Sequence, residues 1–114
     1  MARYKMLVFS VPFEGQDDAF NAWYDGRHLD DICALNGFTT AQRFKLHSVA
    51  MGQDMNRYLA IYDLETDDPE RDIAAMFAAR DTAVMPIDPS FDLDPTTVLL
   101  YEETGAMVTA KIAG

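Results

Sequence analysis

The sequence predicts an α+β fold: a four-stranded antiparallel sheet with two helices on one face, in the order strand, helix, strand, strand, helix, strand. Three observations carry this. Residues 4–11, 57–64 and 96–103 are apolar runs rich in strand formers, and residues 38–48 alternate. Two segments with acid-rich starts and helical spacing follow the first and third strands. Glycine, proline and asparagine mark the breaks between them.

Residues 4–11, YKMLVFSV, are apolar on both faces, as a central and covered strand must be. PFEGQDD then leads into a helix over 17–35, with Asp17 and Asp18 at its positive end. Gly26 weakens the middle of that helix by about 1 kcal/mol relative to alanine. Asn36-Gly37 stops it. In 38–48, Phe38, Thr40, Gln42, Phe44 and Leu46 fall on one side, and Thr39, Ala41, Arg43, Lys45 and His47 on the other. VAMGQDMN connects to RYLAIYDL, the third strand. ETDDPERD opens the second helix with Pro69 in its first turn, and Ile73, Met76, Phe77 and Arg80 form one stripe. MPIDPSFDLDP holds three prolines and cannot stay regular. TTVLLYEE is the fourth strand. The segment after Gly105 is a tail, an extra strand or an arm, and 1–114 reads as one domain.

The helices cover one face of such a sheet. The other face also carries apolar positions from the strands, so a second copy packed sheet to sheet is expected, giving a homodimer.

The chain has 114 residues, 49% of them hydrophobic, enough for a core rather than disorder. Its net charge of -10 repels phosphate backbones and anionic membranes, which argues against nucleic acid and lipid as partners. No apolar run approaches the roughly 20 residues of a membrane helix. The lone Cys33 rules out an internal disulfide and fits a reducing cytoplasm. There is no glycine-rich phosphate loop, no metal-spaced Cys/His cluster and no serine elbow. Neither a metal nor a cofactor is therefore expected.

The element order, the length, and the run FNAWYDGRHLDDI…LNGFTTAQRFKL…YLAIYDLE are similar to the dimeric α/β-barrel superfamily, with its ferredoxin-like subunit. Within it they most resemble proteins of the EthD type. The resemblance implies the βαββαβ fold and the dimer. Relatives include lactone isomerases, polyketide cyclases, small monooxygenases and proteins of unknown role, so fold does not select the reaction. The isomerase-like relatives carry a pocket-facing histidine on the first helix, and His28 matches it by position. His47 is the only candidate for the second histidine some of them use. Heme-binding relatives ligate iron from the second half of the chain, whereas both histidines here precede residue 48.

On a regular helix, at about 100° per residue, Phe20, Asp31, Tyr24, Leu35, His28 and Ile32 share one sector of about 120°. Trp23 and Arg27 flank it. His28 is the candidate proton carrier, with Asp31 or Asp25 raising its pKa and fixing its orientation. Asp31 is equally placed to pair with Arg27, and Asp25 to sit on the surface. Arg43, if it points at the helices, is the candidate for holding a carboxylate or enolate oxygen; otherwise it pairs with one of many acids. Phe20, Trp23, Tyr24, Tyr62 and Phe77 are candidate substrate-lining residues, with core packing as their ordinary alternative. His47 is expected to be exposed and Cys33 to be a small buried hydrophobe.

These residues imply a cofactor-independent enzyme of isomerase, cyclase or lyase type, working by acid–base chemistry on a small apolar carbonyl or aromatic compound. Two other readings share the same residues: a cofactor-free monooxygenase of phenols, and a non-catalytic ligand-binding or accessory protein.

Overall fold

A computed structural model describes residues 2–111. Strand β1 (Ala2–Ser10) leads to α1 (Asp17–Trp23), a π-helical turn (Tyr24–His28) and α2 (Leu29–Cys33). Then come β2 (Phe38–Lys45), β3 (Tyr58–Thr66), α3 (Pro69–Ala79) and β4 (Thr97–Glu102). The sheet order is β2-β3-β1-β4 with every neighbour antiparallel. This is the α+β arrangement the sequence predicts, with the helices on one face.

Alternation along the central strands decides what faces the helices. Met6, Val8 and Ser10 on β1 and Tyr58, Ala60, Tyr62, Leu64 and Thr66 on β3 are buried. Phe20, Tyr24, Ile32 and Met76 join the same core from the helices. Across the open face, register aligns Gln42, Ile61, Leu7 and Leu99 in one row and Phe44, Leu59, Phe9 and Thr97 in the next.

Strand β2 corrects one expectation. Its register shifts between Phe38 and Thr40. A bulge flips the period-two pattern, so Phe38, opposite Leu64, shares the helix side with Ala41 and Arg43, opposite Tyr62 and Ala60. The long first helix is also interrupted by its π turn and ends at Cys33 rather than 35. Cys33 is half-buried rather than buried. The tail from Gly105 to Lys111 is exposed and in no strand, and residues 112–114 lie outside the described residues. Among the described residues no helix is long and apolar enough to cross a membrane.

The N-terminus of α3 is fastened to the α2–β2 turn. The Asp68 side chain accepts from the Arg71 backbone N–H at 3.1 Å, a capping bond, with Pro69 following it. Asp72, 3% exposed, accepts from Asn36 Nδ2 at 3.0 Å. Hydrogen bonds from Thr66, Asn36 and Arg71 hold its pKa down to about 2. Gly37 makes room for this carboxylate: its φ is 90°, and a Cβ there would stand 2.7 Å from Leu64 Cδ1 and 2.9 Å from Asp72 Oδ2. Gly37→Ala should therefore destabilise the protein by about 1–3 kcal/mol, read as a lower urea midpoint with an unchanged m-value.

Candidate functional site

Phe20, Tyr24, His28 and Ile32 recur every four residues and are 0%, 1%, 5% and 3% exposed. A regular α-helix cannot keep such a series in line, because each step of four overshoots a turn by about 40°. The turn over Tyr24–His28 is π-helical. Closed from i to i+5, it is wider and takes the overshoot back. Gly26 lies inside it with no heavy atom within 4 Å of where a Cβ would stand. Packing does not demand glycine there; its low helix propensity eases the departure from α geometry.

This line delivers His28 to the wall of a cavity of about 60 Å³ between helices and sheet. Met6, Val8, Tyr24, Ile32 and Met76 share that wall, which is almost entirely apolar. The imidazole stacks on Trp23, with ring centroids 4.4 Å apart and planes 26° apart, and meets Tyr24 edge to face at 4.8 Å. Among the described residues, His28 Nδ1 is buried without a hydrogen-bond partner, as is Trp23 Nε1. Burial pushes the His28 pKa down to about 4; the charge of Asp31 opposes this and that of Arg43 adds to it. His28 is neutral at pH 7.

The acids do not take the places expected of them. Asp31 accepts from Arg27 Nε at 2.9 Å and does not orient the imidazole. Its charge does pull the His28 pKa upward, but desolvation is larger, so the expected net rise becomes a fall. Asp25 accepts from Arg43 Nη1 at 3.0 Å.

Arg43 faces the helices but does not reach the His28 cavity. Its guanidinium lies 4.3 Å from the centroid of the Tyr24 ring and close to Phe20 and Tyr58. Its Nη2 donates to Asn21 Oδ1 at 2.9 Å, and its Nε is buried without a partner. It lines a separate open cleft with Asn21, Asp25 and Tyr58. The rings that surround it stabilise it as a packed cation, a structural use of an arginine read in sequence as an oxyanion holder.

Among the aromatic candidates, Tyr24 and Phe77 line the His28 cavity. Trp23 backs His28, and Phe20 packs edge-on against Tyr24 at 5.3 Å. Tyr62 is fully buried outside the cavity wall, its hydroxyl donating to that of Tyr24 at 3.5 Å. Burial raises the pKa of both tyrosines, so both stay protonated. His47 is exposed past the end of β2, in another cleft. Arg80, from the stripe of the second helix, also lines the cavity; sequence reasoning missed Met85, Ile87 and Phe91, which close it from the irregular segment after α3. That segment has no periodicity from which inward and outward positions can be told. Among the described residues, no group of three or more His, Cys, Asp or Glu is placed to hold a metal ion.

A neutral buried histidine has a signature in solution. Its folded pKa, about 4, lies below its ordinary value of 6.5. The unfolded chain therefore binds its proton first, and acid favours unfolding. Stability should fall as pH drops from about 6.5 towards 4, by at most about 3 kcal/mol from this group. His28→Gln should flatten that limb of the stability–pH profile, and the His28 imidazole resonances should titrate near pH 4.

No protein-family model and no curated protein sequence matches the chain. Two solved structures do match its fold. One is an ethyl tert-butyl ether D (EthD) family protein from Bacillus halodurans C-125, 14% identical, covering 91% of this chain and 100% of its own, with a TM-score of 0.56. The other is a DABB family protein with a ferredoxin-like fold from Mesorhizobium loti MAFF303099, 12% identical, covering 92% and 100%, with a TM-score of 0.57. The chain is thus an α+β protein of ferredoxin-like fold, similar in structure to small EthD and DABB family proteins.

Proposed function

We propose that the protein is a cofactor-independent enzyme of isomerase, cyclase or lyase type, acting on a small apolar carbonyl-bearing or aromatic compound, with His28 moving the proton. One observation carries the reading: a neutral imidazole, with one ring nitrogen unclaimed among the described residues, on the wall of an apolar cavity. A histidine needed only for packing is costly in such a place.

The low proton affinity of His28 suits a paired transfer. An imidazole with a pKa of about 4 does not charge itself from water at pH 7. An anion formed beside it by loss of a proton to the ring raises that affinity again, so the proton stays in the cavity with the substrate. Tyr24, kept protonated by burial, is the hydrogen-bond donor on the same wall. Trp23 holds the imidazole plane, and Phe77 shapes the wall on the α3 side.

The near absence of polar groups from the cavity wall favours a second reading, a ligand-holding protein without turnover. A panel of small cyclic ketones, lactones and phenols separates the two. Turnover of a panel member, lowered about 10²–10⁴-fold by His28→Ala, supports the enzyme. Ligand-dependent thermal stabilisation with no product supports the binder. A folded His28→Ala variant with full activity overturns the assignment of His28.

The same proposal includes a cytoplasmic homodimer formed through the open sheet face. Leu7, Phe9, Leu59 and Ile61 are half-buried there, and Phe44, Leu99 and Tyr101 are exposed, with no helix over them among the described residues. Ile61→Asp, near the middle of that face, should shift the protein from dimer to monomer in light scattering at micromolar concentration. An unaltered protein that is monomeric under the same conditions rules the dimer out.

A further inference from the structure

The His28 cavity has a wall that differs in kind from the rest. Helix and strand positions hold one side, and the irregular chain between α3 and β4 holds the other. That irregular chain is fastened unevenly. Over 88–96, Phe13 N–H donates to Ser90 O at 2.8 Å, Asp92 N–H to Val11 O at 3.3 Å, and Asn56 Nδ2 to Pro95 O at 2.6 Å. Over 81–87, the Thr82 N–H and hydroxyl donate to Ala79 O at the end of α3, at 3.1 and 2.6 Å, and among the described residues one hydrogen bond reaches beyond that adjoining helix: Arg27 Nη2 donates to Ala83 O at 3.4 Å.

Residues 81–87 are otherwise tied to themselves and to the end of α3. Asp81 N–H donates to Met85 O at 2.9 Å, Met85 N–H to Thr82 O at 3.2 Å, and Val84 N–H to the Thr82 hydroxyl at 3.3 Å. Such a piece moves as a unit. At its root Asp81 has a φ of 62°, a left-handed conformation that aspartate tolerates. Element-terminal positions of this kind absorb hinge rotation. Met85, 3% exposed, is the part that plugs the cavity, while Val84 faces out at 59%.

We propose that residues 81–87 are the gate to the His28 cavity and that Arg27, held in place by Asp31, is the latch. Hinged on the end of α3, a segment with one bond beyond that helix opens at the least cost, and that bond comes from the residue next to His28 in sequence. Asp31 thereby has a role in the site without touching the imidazole: its carboxylate fixes Arg27 at 2.9 Å, in reach of Ala83 O. A cavity of about 60 Å³ behind a fixed wall admits little more than water, whereas a hinged wall admits a ring compound. The inference rests on the reading of this cavity as a ligand site, but its test needs no ligand.

Diethyl pyrocarbonate modifies unprotonated histidines and is too large for the closed cavity. Peptide mapping separates His28 from exposed His47, which serves as internal control. In the unaltered protein His28 should react more slowly than His47. Arg27→Ala should speed His28 modification about two- to fivefold, the span an exposed ion pair allows. Asp31→Asn should act in the same direction, with His47 unchanged in both. Arg57→Ala, which breaks the Arg57–Asp17 ion pair of 3.1 Å elsewhere, should leave His28 unchanged. An unaltered His28 rate in both latch variants overturns the gate, as does an equal rise at His47 or in Arg57→Ala. A fully active His28→Ala, by contrast, overturns the functional reading and leaves this result standing.

Discussion

Much of the site follows from burying a histidine without a charged partner. The line Phe20, Tyr24, His28, Ile32 must all face the sheet. A regular helix rotates such a line off the core, so the backbone adopts a π turn there. The turn exposes Asp25 and Gly26 on its outer side and turns Tyr24 and His28 inward. Local backbone irregularity and the chemistry of the site are one feature of the chain.

The charges that the sequence offers as partners for His28 are engaged elsewhere. Asp31 goes to Arg27, Asp25 to Arg43, and Arg43 into a nest of Phe20, Tyr24 and Tyr58 rings. The Tyr24 ring has both Arg43 and His28 against it. The cavity is left apolar and the imidazole neutral. Were Asp31 bonded to His28, the imidazole would be held protonated and would serve as an acid or an anion site. The geometry instead leaves a base of low proton affinity, whose use depends on what enters beside it.

Legibility from sequence followed periodicity. Strand β3 reads cleanly because Tyr58, Ala60, Tyr62 and Leu64 alternate with Leu59, Ile61 and Asp63, and its observed range differs from 57–64 only at the ends. The α3 start reads from Asp68 and Pro69 because capping is local chemistry. Strict alternation sets Phe38 on the wrong face because one bulge reverses every later position, and a bulge leaves little mark in composition. A regular helical wheel sets His28, Tyr24 and Ile32 on one face. That wheel also put Asp31 there, whereas Arg27 draws its carboxylate away. Met85 and Ile87 were invisible, because only tertiary contact tells an irregular segment which side to bury.

Stability and access pull against each other in this arrangement. The neutral imidazole destabilises the fold in mild acid, whereas the Asp72 knot at the N-terminus of α3 is unchanged there. Its carboxylate, with a pKa of about 2, keeps its hydrogen bonds through the whole range in which His28 protonates. The hydrogen bonds of Asp72 to the α3 N-terminus and to Asn36 of the α2–β2 turn therefore persist while His28 gains its proton. The C-terminal end of α3 is where the chain leaves regular structure for the gate. One end of α3 is thus anchored by a buried carboxylate and the other leads into a loosely held segment. That polarity concentrates motion at the cavity mouth and spares the sheet, the division a rigid scaffold with a mobile entrance requires.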